Sequence, residues 1–127
     1  MNIEKTKTFQ ATINIGLEVG YTNIVYDREK LIKELQTYQR QKIDKENVYL
    51  SASVSECNIV LNGQNEKHLK LEFINYPKFV LTVEEFKAEV FNLAKHLLIK
   101  MKQNRTVVIF TDETIMLEIN KEIDPKI

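Results

Sequence analysis

The sequence predicts an α+β sandwich of two layers, and three observations carry that prediction. Apolar residues fall on every second position from Phe9 to Val19, as in a strand with one buried face. Two separate segments, opening at Asp27 and at Thr82, change to the period of about 3.6 residues that marks an amphipathic helix. Further alternating runs follow each helix, so the order reads strand, helix, strand, strand, helix, strand. That is the βαββαβ order of the ferredoxin-like sandwich, an antiparallel sheet covered by two helices.

In the first strand Phe9, Ala11, Ile13, Ile15, Leu17 and Val19 alternate with Gln10, Thr12, Asn14, Gly16 and Glu18. Gly20 to Tyr26 reads as a loop, and the Asp27 carboxylate can accept from the free amides of the turn that follows. Leu31, Leu35 and Tyr38 then share one helix face with Ile32 alongside, and the helix is expected to end near Lys42. Val48, Leu50, Ala52 and Val54 alternate again. After Glu56 the apolar parity slips to Cys57, Ile59 and Leu61, which predicts a bulge or bend near Ser55 and Glu56. Asn62-Gly63 tolerates the positive φ of a tight hairpin, and Leu69, Leu71 and Phe73 form the returning strand. The hairpin loop could extend through Lys67.

Tyr76-Pro77 ends that strand, because proline has no amide for a ladder. Thr82-Val83-Glu84-Glu85 is a capping box, and Phe86, Val90, Leu93, Leu97 and Met101 form the apolar stripe behind it. Phe91, Leu98 and Ile99 lie off the stripe, so the helix is expected to be buried on more than one side. The final apolar runs, Val107 to Phe110 and Ile115 to Leu117, flank Thr111-Asp112-Glu113-Thr114. They read as a strand, a turn and a short second strand, with one long bent strand as the alternative. Lys121 to Ile127 reads as a short flexible tail.

At 127 residues the chain has the size of one domain, and 43% hydrophobic with 28% charged residues is globular composition. Lys plus Arg and Asp plus Glu are 18 each, so no global positive field gathers phosphates, and nucleic-acid binding is disfavoured. The open-face positions also lack the aromatic platform that stacks RNA bases. Cys57 is the single cysteine, which excludes an internal disulfide and any CxxC motif and fits a cytoplasmic setting. No apolar run approaches the roughly 18 residues of a membrane span, and no signal-peptide pattern is seen. The abundance of Lys, Ile and Asn suggests a bacterial or phage origin.

The chemistry-bearing residues form no known motif. No ligand spacing for a metal is present, and the dispersed Gly16, Gly20 and Gly63 build no phosphate loop, so no metal and no cofactor are expected. Cys57 with His68 or His96 reads as an inert thiol and two boundary histidines rather than a nucleophile and its base. Asp112 and Glu113 read as a plain turn. If the apolar positions of the strands face the helices, the other face is polar. Gln10, Thr12, Asn14, Glu18, Arg28, Tyr49, Ser51 and Ser53 are then the candidate ligand-binding residues.

Val107 and Ile109 point to one side of their strand and Val108 and Phe110 to the other, so neither side is polar. Together with Phe91, Leu98 and Ile99, Val108 and Phe110 are expected to meet another copy of the chain. The functional expectation is a small non-enzymatic binding protein, a homo-oligomer that captures a small polar or nucleotide-like ligand or a partner protein. The alternative is a small enzyme with its site between subunits, using Glu18, Tyr49, Arg28 or His96.

Overall fold

In a computed structural model, which describes residues 1–20 and 22–122, the alternating N-terminal stretch forms β1 (Gln10–Gly16). It is followed by α1 (Arg28–Glu46), β2 (Ser53–Leu61), β3 (Gln64–Ile74), α2 (Val83–Lys100), β4 (Arg105–Phe110) and β5 (Thr114–Glu118). The strands form one antiparallel sheet in the order β2-β3-β1-β4-β5. The α+β class and two helices agree with the sequence. The sheet is not the plain four-stranded βαββαβ sheet, because the last segment folds into a hairpin and its second strand extends the edge beyond β4.

The helix ends follow from local chemistry. The Asp27 carboxylate accepts from the Lys30 amide at 3.0 Å, and Thr82 and Glu85 complete the capping box with two bonds of 3.1 Å. α1 runs beyond Lys42 because nothing breaks it before Asn47, which takes a left-handed φ of 55° and donates to the Ile43 carbonyl. Lys42 binds Glu46 on its own helix and Glu89 on α2, tying the two helices together. Burial alone would lower the pKa of Lys42, but the hydrogen bonds to Glu46 and Glu89 outweigh it and hold the ammonium above its usual range.

The core lies between the helices and one sheet face: Ala11, Ile13 and Ile15 from β1, Leu69, Leu71 and Phe73 from β3, and Leu31, Phe86, Val90, Leu93 and Leu97 from the helices. Phe9 meets Phe86 edge to face, centroids 5.0 Å apart. Two expectations are corrected at β2 and β4. No bulge occurs in β2, whose pairing with β3 is unbroken from Ser53↔Glu72 to Leu61↔Gln64. The slip in apolar parity simply moves Cys57 and Ile59 to the open face, and Asn62 (φ 48°) and Gly63 (φ 82°) alone close the hairpin.

The second correction concerns Val108 and Phe110. They are 0% and 5% exposed and pack in the core of their own chain, so the helices cover the side that was expected to need another copy. Val107 and Ile109 lie on the open face instead, opposite Asn14 and Thr12 of β1 and Met116 and Thr114 of β5. Leu98 is buried, Phe91 is half-buried beneath the Lys95 ammonium, and Ile99 is exposed. Of the expected tail, Ile123 to Ile127 lie outside the described residues. Among the described residues no helix is long and apolar enough to cross a membrane.

Candidate active site

β1 and β3 bring their chemistry-bearing ends together. Their register sets Gly16 against His68 and Asn14 against Lys70, and β2 sets Cys57 against His68. The chain leaves β1 through Leu17 and folds back on itself: the Tyr26 amide donates to the Leu17 carbonyl and the Val19 amide to the Ile24 carbonyl, both at 2.7 Å. Gly20 turns this loop with a left-handed φ of 54°, and its amide donates to the Lys102 carbonyl at 2.9 Å. The loop is therefore anchored to the end of α2.

Gln103 supplies the second anchor. Its side-chain amide donates to the carbonyls of Glu18 and Met101, spanning the loop and the helix end. Gly16 makes room for it, since a Cβ there would lie 2.5 Å from Gln103 Oε1 and 3.4 Å from His68 Nε2. The same wall is joined to β4 by Thr106, a buried hydroxyl that donates to the Asn14 carbonyl at 2.6 Å.

A cleft of about 300 Å³ opens here on the open face. Asn14, Glu66, His68 and Gln103 give it polar walls, and Ile59 and Val107 give it apolar ones. Its volume is at the low end of small-molecule sites. His68 Nε2 lies 3.2 Å from Glu66 Oε2, while His68 Nδ1 and Asn14 Oδ1 are both buried without a hydrogen-bond partner. Buried polar atoms are nearly always paired, so two orphans on residues that line one cleft call for a partner from outside the chain, a water or a ligand. Arg105 reaches Glu118 at 2.7 Å along one rim. Among the described residues no group of three metal-ligating side chains is found.

The expected ligand-binding residues divide between several places. Gln10, Thr12, Asn14 and Ser53 share the open face, Asn14 lines the cleft, and Glu18 is outside the lining, with its carbonyl held by the Gln103 side chain. Arg28 faces Glu56 at 3.9 Å in a neighbouring cleft on the far side of His68. Tyr49 and Ser51 precede β2, and Tyr49 stacks on Phe79 with centroids 4.6 Å apart. Asp112 and Glu113 sit in the β4–β5 turn as exposed partners of Lys87, at 2.7 and 3.3 Å, and Lys87 holds the Asp112 carboxyl below its usual range. Glu66, His68 and Gln103 are the residues that the sequence reading missed as site residues. Counting back from the Asn62-Gly63 turn places His68 opposite Cys57 and could have found the histidine.

His96 has a separate role. It packs on Tyr38 between the helices, centroids 4.9 Å apart, with its Nε2 buried and unpartnered. Burial, with help from Lys100 and against Glu34, lowers its pKa from the ordinary 6.5. The unfolded chain therefore takes up a proton that the folded ring resists, and stability that is full above about pH 6.5 is lost as pH falls below it. Urea midpoints compared at about pH 7 and pH 5.5 should fall further for the wild type than for His96→Phe. A parallel fall in both would remove His96 as the source.

No protein-family model and no curated protein matches the chain. Two solved structures share its fold. A phage S-adenosylmethionine (SAM) lyase in complex with S-methyl-5'-thioadenosine superposes with a TM-score of 0.67 at 18% identity, covering 94% of this chain and 95% of that one. A phage SAM lyase in its apo state gives a TM-score of 0.67 at 24% identity, covering 88% and 90%. Such identities show a shared fold. The expectation of a non-enzymatic binding protein is corrected, because both of these matching chains, alike over nearly their whole length, are those of an enzyme, and one of them is in complex with a nucleotide-like ligand.

Proposed function

We propose that this chain is a lyase that cleaves S-adenosylmethionine to S-methyl-5'-thioadenosine, with the cleft between Asn14, Glu66, His68 and Gln103 as its site. The observation that carries this reading is the likeness in fold to the two SAM lyase chains, which extends over about nine-tenths of each molecule. The cleft supports it with unpaired buried polar atoms beside an apolar wall.

The chemistry suits a site without a nucleophilic triad. Methylthioadenosine keeps the methyl and adenosyl groups of the sulfonium, so the bond that breaks joins sulfur to the aminobutyrate arm. The bonding electrons go to sulfur, which leaves as a neutral thioether. The arm satisfies its carbon by closure of its own carboxylate, which forms a C–O bond as the C–S bond breaks and needs neither water nor a base. The leaving group is already activated by its charge. What the protein must supply is orientation and a partly dry surrounding, which is what the clamped wall at Gly16 and Gln103 offers.

The homo-oligomer and the cytoplasmic setting remain part of this reading. Ile74, Ile109 and Met116 are exposed on the open sheet face and favour a second copy there, and the free Cys57 fits a reducing compartment. Titration of the purified chain with S-adenosylhomocysteine, which keeps the whole substrate skeleton, in a calorimeter tests the site. Saturable binding at one site per chain is expected in the wild type, weakened in Gly16→Ala. Absence of binding, or binding unaffected by that substitution, would remove the cleft from the account.

A further inference from the structure

We infer that the cleft receives a primary ammonium group, the amino end of the substrate's amino-acid arm, on Asn14 Oδ1 and His68 Nδ1; this rests on the lyase reading above. The two atoms belong to neighbouring strands, and both are buried with no partner in the chain. A buried acceptor left unpaired is costly, so a donor supplied by a ligand recovers what folding leaves open.

The direction of the missing bonds follows from the neighbours. The Glu66 carboxylate can only accept, so the ring proton of a neutral His68 sits on Nε2, 3.2 Å from Glu66 Oε2. In that tautomer the lone pair is on Nδ1, an unpartnered atom of a ring that lines the cleft. Asn14 presents its amide oxygen. Both N–H groups of Gln103 are committed to the Glu18 and Met101 carbonyls, so Gln103 has no donor left for a ligand. The cluster is one of acceptors with a carboxylate behind it.

A nucleobase edge does not match such a cluster, because adenine alternates a donor with acceptors. A primary ammonium does match, having three donors, no acceptor and a positive charge that Glu66 favours. Asn14, Glu66 and His68 thus hold the arm that leaves rather than the adenosyl part that stays with sulfur. Methylthioadenosine, which has lost that arm, gains nothing from them.

Two ligands separate these cases. S-adenosylhomocysteine carries the ammonium on a neutral thioether, and methylthioadenosine has no ammonium; each is titrated by calorimetry into the wild type, Asn14→Leu and Asn14→Asp. Asn14→Leu should weaken S-adenosylhomocysteine about tenfold or more and methylthioadenosine less than about twofold. Asn14→Asp, of the same size but acceptor on both oxygens, should bind S-adenosylhomocysteine at least as tightly as the wild type. Equal losses for both ligands, or no loss for either, overturn the inference. A wild type that binds methylthioadenosine with no gain from the amino-acid arm overturns it as well and leaves the lyase reading intact. A wild type that binds neither ligand overturns both.

Discussion

Gly16→Ala is expected to lower SAM cleavage by about tenfold or more while the chain stays folded. The new methyl group would lie 2.5 Å from Gln103 Oε1, closer than nonbonded atoms approach, so Gln103 has to give way. The amide is the end of a flexible side chain and can turn aside, but its Nε2 holds the Glu18 and Met101 carbonyls, bonds worth about 1 kcal/mol net each that such a turn strains. Those bonds fix the loop after β1 and one wall of the cleft, and a displacement of about 1 Å there is enough to cost one to two powers of ten in rate. The backbone conformation of Gly16 is not the obstacle; the space is. A double-mutant cycle checks this, because in a Gln103→Ala background the added methyl group meets no amide and should cost little more. Equal losses from Gly16→Ala with and without Gln103 would place the fault elsewhere.

Phe86→Ala is expected to cost about 3–5 kcal/mol of stability, a large share of the roughly 5–15 kcal/mol that holds a domain of this kind. Phe86 is 1% exposed, packs edge to face on Phe9, and anchors the first turn of α2 to the sheet. Its ring also walls a narrow apolar cleft lined by Phe9 and Phe110, so truncation would join that cleft to a new void rather than let the core collapse around it. Phe86→Leu, which keeps most of the apolar volume, should recover more than half of the loss. Urea unfolding of the two variants measures both, and a loss below about 1 kcal/mol for Phe86→Ala would show that the helix is held mainly elsewhere.

Much of the fold was legible because its signals are local. The alternation around Ile13, the Asp27 cap, the Thr82 capping box and the Asn62-Gly63 turn each act within a few residues, and each sits where the sequence placed it. Val108 and Phe110 were misread for a definable reason: in β4 both faces are apolar, so parity alone does not say which faces the helices. Pairing with Ala11 and Ile13 decides it, and that pairing spans about 100 positions of sequence.

The site was legible only in part. Asn14 stood out as a polar residue on a half-buried strand. Gln103 carries no pattern at all, since its value depends on Gly16 and Glu18 being brought beside it by the sheet and by the end of α2. His68 and Glu66 looked like hairpin residues until the unbroken β2–β3 register removed the expected bulge.

The most direct measurement is product formation from S-adenosylmethionine by the purified chain, separated by chromatography and read against buffer alone. Methylthioadenosine is expected to accumulate to many molar equivalents of protein, with a matching loss of SAM and a much slower reaction in Gly16→Ala. SAM that decays no faster than in buffer, or that yields S-adenosylhomocysteine instead, would contradict it.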